Sequence, residues 1–428
     1  MTETSRVSAL PVTRPPGCPF DPPAAYATLR ATEPVVEVRC PTGIDAWLVT
    51  RYADVRAVLA DRTMSSRGAA SLHILPNAGR DPVQPGSVIQ LDGKDHSRLR
   101  KMVIAEFTVR RVEAMRDYVQ AVVDSHLDAM LAQPGSADLV RDFASPITLL
   151  MISELLGVPP GYRRQFQRMS TTLLSSDTTP AETQQATIGL LTYLAELFAD
   201  KQINPQDDVF SRMIVRGEAD NDPLTIAEMA MLALNLVVAG HEATANMIAL
   251  STLALLEHPA QRDVLLEAPQ RAIDELLRYL SVVQFGVLRY ATTDVLVGER
   301  MVKAGEWLVA ALNSANHDEQ VFPHADDMDL SRAASRSHVA FGFGAHKCLG
   351  EQFARVELQE ALTLLFRRVP SLRLAVPREE LEYKDNTLVY GVRRLPVAWD
   401  EPAEIPSGTT DPGELMPFPQ ADRLAADN

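Results

Sequence analysis

The densest chemistry in the sequence lies at Phe341-Gly342-Phe343-Gly344-Ala345-His346-Lys347-Cys348-Leu349-Gly350. Three glycines around one cysteine let the backbone bend tightly and let something flat come close to it. A helix pattern follows from about Leu349, so backbone N–H groups and a helix N-terminus would lower the Cys348 pKa. Both effects suit a sulfur that stays anionic on a metal. Read without further context, the same segment also describes an inert buried cysteine in a glycine-rich turn.

Three other groupings carry charge at useful spacings. Glu275 and Arg278 stand at i, i+3 on one helix face, where carboxylate and guanidinium can pair. His96 and Arg100, at i, i+4, can address one anion together. Ala239-Gly240-His241-Glu242-Ala243-Thr244 sets a glycine inside a long helical pattern. Such a glycine costs roughly 1 kcal/mol relative to alanine, which suggests that a ligand needs the room. An exposed ion pair, a solvated basic helix and an outward polar face are the plain alternatives for these three.

FGFGAHKCLG resembles the haem-binding signature of the cytochrome P450 superfamily, F-G-x-G-x-H-x-C-x-G, with every fixed position filled. The resemblance implies that Cys348 is the proximal ligand of the haem iron, with Phe341, Gly342, His346 and Gly350 binding the cofactor and Phe343 packing against it. Glu275-Leu276-Leu277-Arg278 then matches the family's E-x-x-R motif, with Arg332 as third member of a structural triad. His96, Arg100 and Arg289 would hold the haem propionates. Gly240, Glu242, Ala243 and Thr244 would form the distal, oxygen-side motif, A-G-x-[ED]-T. Here the sequence departs from the family, because Ala243 stands where a proton-relaying threonine is usual. Thr244 is rotated from that position by about 100° and cannot simply replace it. Protons would then pass through ordered water and a substrate hydroxyl, with Glu242 helping to hold the water.

These residues need elements to position them. The periodicity from Lys94 to about Glu257 is overwhelmingly helical. Thr225-Ile226-Ala227-Glu228 reads as a capping box that opens a helix running without proline to His258-Pro259. At 1.5 Å per residue it is roughly 50 Å long and must cross the molecule. Further helices are predicted over 270–280 and 351–368. Strand-like runs are LRYATTDVLVG, EWLVAALNSAN and pieces of Leu372 to Trp399. The fold class is therefore mainly α with a small β region, and the resemblance implies the cytochrome P450 fold. Residues 1–20 read as an irregular lead-in, 21–400 as one catalytic domain, and 401–428 as an acidic tail.

Composition narrows the function classes. A net charge of −15 over 428 residues disfavours nucleic acid as a partner. Three cysteines without a CxxC pair supply neither a disulfide framework nor a cysteine-rich zinc site, and suit a reducing cytoplasm. Neither a secretory signal nor a span of about 20 apolar residues is evident, so no membrane association is expected. The resemblance implies a cytoplasmic, monomeric monooxygenase with haem b. It would take electrons from NAD(P)H through a ferredoxin reductase and a ferredoxin, as soluble actinobacterial members do. Lys94, Arg98, Lys101, Arg110, Arg111, Lys347 and Arg355 would form a basic docking face for that ferredoxin.

The expected substrate is a bulky, largely apolar molecule such as a macrolide, polyketide or terpenoid. Its contacts are expected from Ser71–Val88, the helices spanning Gln165–Leu197, Leu234, Val238, Val282–Val287 and Leu388-Val389. The competing readings are a haem-thiolate enzyme of another class (a nitric oxide reductase or a peroxide-driven oxidase), a non-catalytic haem protein, and a metal site built from His241, His346 and Cys348.

Overall fold

The computed structural model describes residues 8–67, 83–174 and 178–400, apart from positions 16, 334 and 386. The acidic tail, and the part of the predicted substrate loop between 71 and 82, lie outside the described residues.

The long helix runs from Ile226 to Glu257. Its start is fixed by the capping box: the Glu228 backbone N–H donates to Thr225 Oγ1 at 3.2 Å, and the Thr225 N–H donates to Glu228 Oε2 at 2.8 Å. Its end falls at His258, the residue before Pro259, where helical backbone is disfavoured. Helices Ser145–Leu155 and Glu351–Arg368 pack against it. Most of the helix is therefore core rather than surface, with Met229, Ala233, Val237, Ile248 and Leu253 fully buried. By length and composition it could cross a membrane, although the apolar run from Met229 to Gly240 alone falls short.

Among the described residues, the β region comprises a six-stranded sheet, a three-stranded sheet and a two-stranded hairpin. The large sheet runs in the order Ser8–Ala9, Val35–Arg39, Asp45–Val49, Trp307–Ala310, Val287–Ala291, Met64–Ser65. Asp45–Val49 and Trp307–Ala310 pair parallel, and Val287–Ala291 lies antiparallel on the other side of Trp307–Ala310. This places Arg289 on a strand inside the sheet. In the lead-in, Ser8–Ala9 forms an edge strand, and the Arg14 guanidinium stacks 3.7 Å from the Tyr390 ring.

The run EWLVAALNSAN is not one strand. It is extended over Trp307–Ala310 and becomes helical over Leu312–Asn316. Side-chain bonds hold that turn in place: Ser314 Oγ donates to the Thr50 carbonyl at 2.9 Å, and Asn316 Nδ2 donates to Ser281 Oγ at 2.7 Å.

Candidate active site

A cavity of about 430 Å³ separates the cysteine loop from the long helix. Gly342 and Gly344 adopt φ of 71° and 73°, conformations that a side chain disfavours. Gly344 also passes so close to the adjoining helix Tyr52–Ala60 that a Cβ would run into the Leu59 carbonyl oxygen. The Cys348 N–H donates to the Phe341 carbonyl at 2.9 Å, and the Val339 N–H to Asn316 Oδ1 at 2.7 Å. These bonds close the loop and turn Cys348 into the cavity, where its side chain is accessible although protein surrounds it on all other sides.

The expectation of a lowered thiol pKa is not met in the protein alone. Burial pushes the Cys348 thiol up and outweighs the Gly350 backbone hydrogen bond and the Arg100 and Arg355 charges that pull it down. Glu351 adds to the rise, because the helix begins there, as the predicted span 351–368 has it, and places a carboxylate in its first turn.

Behind the loop the E-x-x-R pair is wholly buried rather than exposed. Arg278 donates to both Glu275 oxygens at 2.8 Å, and Arg332 Nε to Glu275 Oε1 at 2.9 Å. Arg278 also donates to the Asn316 and Ala325 carbonyls at 2.7 and 2.8 Å. The triad thus ties the helix Pro269–Leu280 to the segment from which the cysteine loop departs.

His96, Arg100, Arg289 and His346 all line one rim of the cavity. Burial lowers Arg289 to about 10 and His96 to about 4, the latter helped by the neighbouring charges of His346 and Arg100. The His96 and His346 rings lie 4.1 Å apart, and His346 Nε2 is 3.3 Å from Asp92 Oδ1. Burial would raise the Asp92 carboxyl, but hydrogen bonds from His346, Ser65 and the Ser66 backbone hold it well below the usual range. Among the described residues, His96 Nε2 and Ser66 Oγ are buried without any hydrogen-bond partner. A rim of cations with orphaned polar atoms, beside a sulfur and below a helix, fits a flat macrocycle that carries carboxylates at one edge. The residues present therefore fit haem.

The opposite wall is the long helix, which contributes Asn235, Leu236, Ala239, Gly240, Ala243, Thr244 and Met247. Gly240 has a packing reason as well as the ligand room inferred from sequence, since a Cβ there would lie 3.2 Å from Ile152 Cδ1. Glu242 does not join this wall. Lys384 Nζ holds it at 3.1 Å and also donates to Asn246 Oδ1 at 3.1 Å, on a different face of the helix. His241 is equally turned away, 2.6 Å from Thr148 Oγ1, and does not converge with His346 and Cys348.

Val282, Val283, Gly286, Val287 and Val88 line the cavity as expected. Leu234, Val238, the described residues of the helices spanning Gln165–Leu197 and Leu388-Val389 do not. Also on the wall, without a local sequence signal, are Ile152, Leu155 and Leu156, which the crossing of two helices brings in, and Glu357, a fully buried acid whose carboxyl burial raises well above its usual value.

The basic segment is largely paired within the chain. Arg98 bonds Asp222 and Glu228 at 2.6 Å, Arg111 bonds Glu106, Lys347 bonds Glu351, and Arg355 bonds Asp274. Lys94 is exposed, and so is Lys101, 3.6 Å from Asp220.

Comparison with known proteins gives a consistent result. The cytochrome P450 family profile matches residues 265–391. Cytochrome P450-SU2 of Streptomyces griseolus is 46% identical over 395 residues, covering 91% of this chain and 96% of that protein. Mycinamicin IV hydroxylase/epoxidase of Micromonospora griseorubida is 38% identical, covering 87% and 94% respectively. The solved structure of CYP105P1 in complex with filipin I superposes with a TM-score of 0.85 at 38% identity, covering 92% of this chain and all of that one.

Proposed function

Because this chain belongs to the cytochrome P450 family, as one of its monooxygenases, we propose that it oxygenates a bulky, largely apolar secondary metabolite with electrons relayed by a ferredoxin. The supporting observation is the cavity itself, with Cys348 on one wall, Gly240, Ala243 and Thr244 on the other, and Arg100 and Arg289 at the rim beside the unpartnered His96 Nε2. Cys348 would ligate the haem iron; His96, Arg100 and Arg289 would hold the propionates; Phe341, Gly342, His346 and Gly350 would frame the site. The bound haem supplies O2 activation and transfer of one oxygen atom to carbon, favoured by the electron density that a thiolate ligand pushes onto the iron.

The chain's own contribution is orientation, exclusion of water and proton supply. Apolar walls from Val88, Ile152, Leu155, Val282 and Val287 favour an apolar substrate and keep bulk water out. Ala243 places no hydroxyl on the helix face it occupies, so a substrate hydroxyl and ordered water would pass the proton there, with Thr244 nearby on the same wall. Glu242 would act on that water only after release from Lys384. A macrolide or related polyketide is the favoured substrate class, supported by relatives named for mycinamicin IV and bound to filipin I. NAD(P)H, a ferredoxin reductase and a ferredoxin would supply electrons, the last docking over Lys94 and Lys101.

The test is turnover of purified protein with NADPH, ferredoxin and its reductase against a small polyketide library. Matched oxygen consumption and singly oxygenated product support the proposal. Product formed from peroxide alone, or nitric oxide consumption without oxygenation, would replace it.

A further inference from the structure

The polar side chains of the cavity are unevenly placed. His96, Arg100, Arg289, His346 and Ser66 gather at the rim that suits the haem carboxylates. Thr244 stands beside Ala243. Asn235 stands apart from both, and precedes Ala243 by about 12 Å along the helix axis. The other wall residues that the long helix, the Val88 loop and the helix Ser145–Leu155 supply are apolar: Val88, Ile89, Ile152, Leu155, Leu236 and Met247.

An asparagine is a poor choice for an apolar helix wall, since its amide competes with the backbone and demands partners. The partners it has are weak. Ser87 Oγ approaches Asn235 Oδ1 at 3.4 Å, the long limit of a hydrogen bond, and Asn235 Nδ2 reaches Met231 Sδ, a weak acceptor, at 3.8 Å. Among the described residues no oxygen accepts from Nδ2. The Ser87 contact is nevertheless built in. Gly86, at φ 88°, presses so closely on the long helix that a Cβ would meet the Glu228 backbone, which brings the following residue against Asn235.

We infer that Asn235 is the specificity-determining anchor of the substrate, its Nδ2–H donating to a carbonyl or hydroxyl oxygen on the part of the substrate that lies about two helical turns from the carbon that reacts near Ala243. The substrate is then an extended, mostly apolar molecule with an oxygen acceptor at its far end, rather than a small compact hydrocarbon. This inference rests on the monooxygenase reading above and adds to it the position of the recognised group.

The experiment uses the haem-loaded protein and two rigid probes of matched shape, 5α-androstane-3,17-dione and 5α-androstane. Their dissociation constants are read from the optical change on titration, with no turnover needed. The wild type is expected to bind the diketone at least tenfold more tightly than the hydrocarbon. Asn235→Leu is expected to bring the two within threefold by weakening the diketone alone, and Asn235→Ala to do the same. A wild type that binds neither probe or shows no preference, or a preference that survives both substitutions, overturns the inference. The carbon monoxide spectrum of each preparation separates the two readings: its thiolate band failing in the wild type counts against the function, whereas an intact band with unchanged preference counts against Asn235 alone.

Discussion

Glu242 and Lys384 form an ion pair 3.1 Å across, and it holds the acidic group of the long helix out of the cavity that the neighbouring Ala243 and Thr244 line. Lys384 comes from a segment bonded to Gly391, and a Cβ on Gly391 would collide with Asn246, so the pair is seated in a close packing of that loop on the helix. The pair is mostly shielded but not buried. Lys384→Met and Glu242→Gln should each lower stability modestly, and the double variant should cost less than their sum by about 0.5–1 kcal/mol. Urea denaturation of the four proteins measures that coupling; strict additivity would show that the pair contributes nothing.

Gly344 should tolerate no side chain. Its positive φ and the approach of the Leu59 carbonyl act together, so Gly344→Ala should cost about 3 kcal/mol or more. The variant should lose haem during purification, seen as a falling ratio of Soret to protein absorbance. Unchanged haem content and stability would mean that the loop does not hold the shape described.

His241 is buried against Thr148, and burial together with the Lys384 charge lowers it to about 4. Its pKa is depressed relative to the unfolded value of about 6.5, so the unfolded chain takes up the proton first and stability falls as pH drops from 6.5 towards 4. The loss attributable to this residue approaches about 3 kcal/mol. His241→Gln, which keeps an amide near Thr148, should flatten the decline between pH 7 and 4. A stability difference between variant and wild type that stays constant with pH would contradict the assignment.

Ala243→Thr should place a hydroxyl on the cavity wall and relieve the dependence on a substrate hydroxyl. Coupling of NADPH oxidation to product should rise most for substrates that lack a well-placed hydroxyl. An equal rise for all substrates would remove substrate assistance from the account.

Much of the site was legible because its signals are local. The glycine spacing around Cys348, the capping box at Thr225 and the i, i+3 pairing of Glu275 with Arg278 each depend on residues within a few positions. What was not legible depends on distant packing. Glu242 shares a motif with Ala243, but a partner from Lys384, 142 residues away in sequence, decides where it points. Ile152 enters the cavity only through the crossing of two helices, and Leu312–Asn316 coils because Thr50 and Ser281 receive its side-chain bonds. The basic segment read as a free patch because Asp222, Glu228 and Asp274, which pair Arg98 and Arg355, lie far along the chain.

The most direct measurement is the absorbance of the reduced, carbon monoxide-bound protein beside its Cys348→Ser variant. The long-wavelength Soret band of a thiolate-ligated haem is expected in the parent, and its loss, together with loss of oxygenation, in the variant. A variant that keeps both the band and its turnover would show that the iron is held by something other than Cys348.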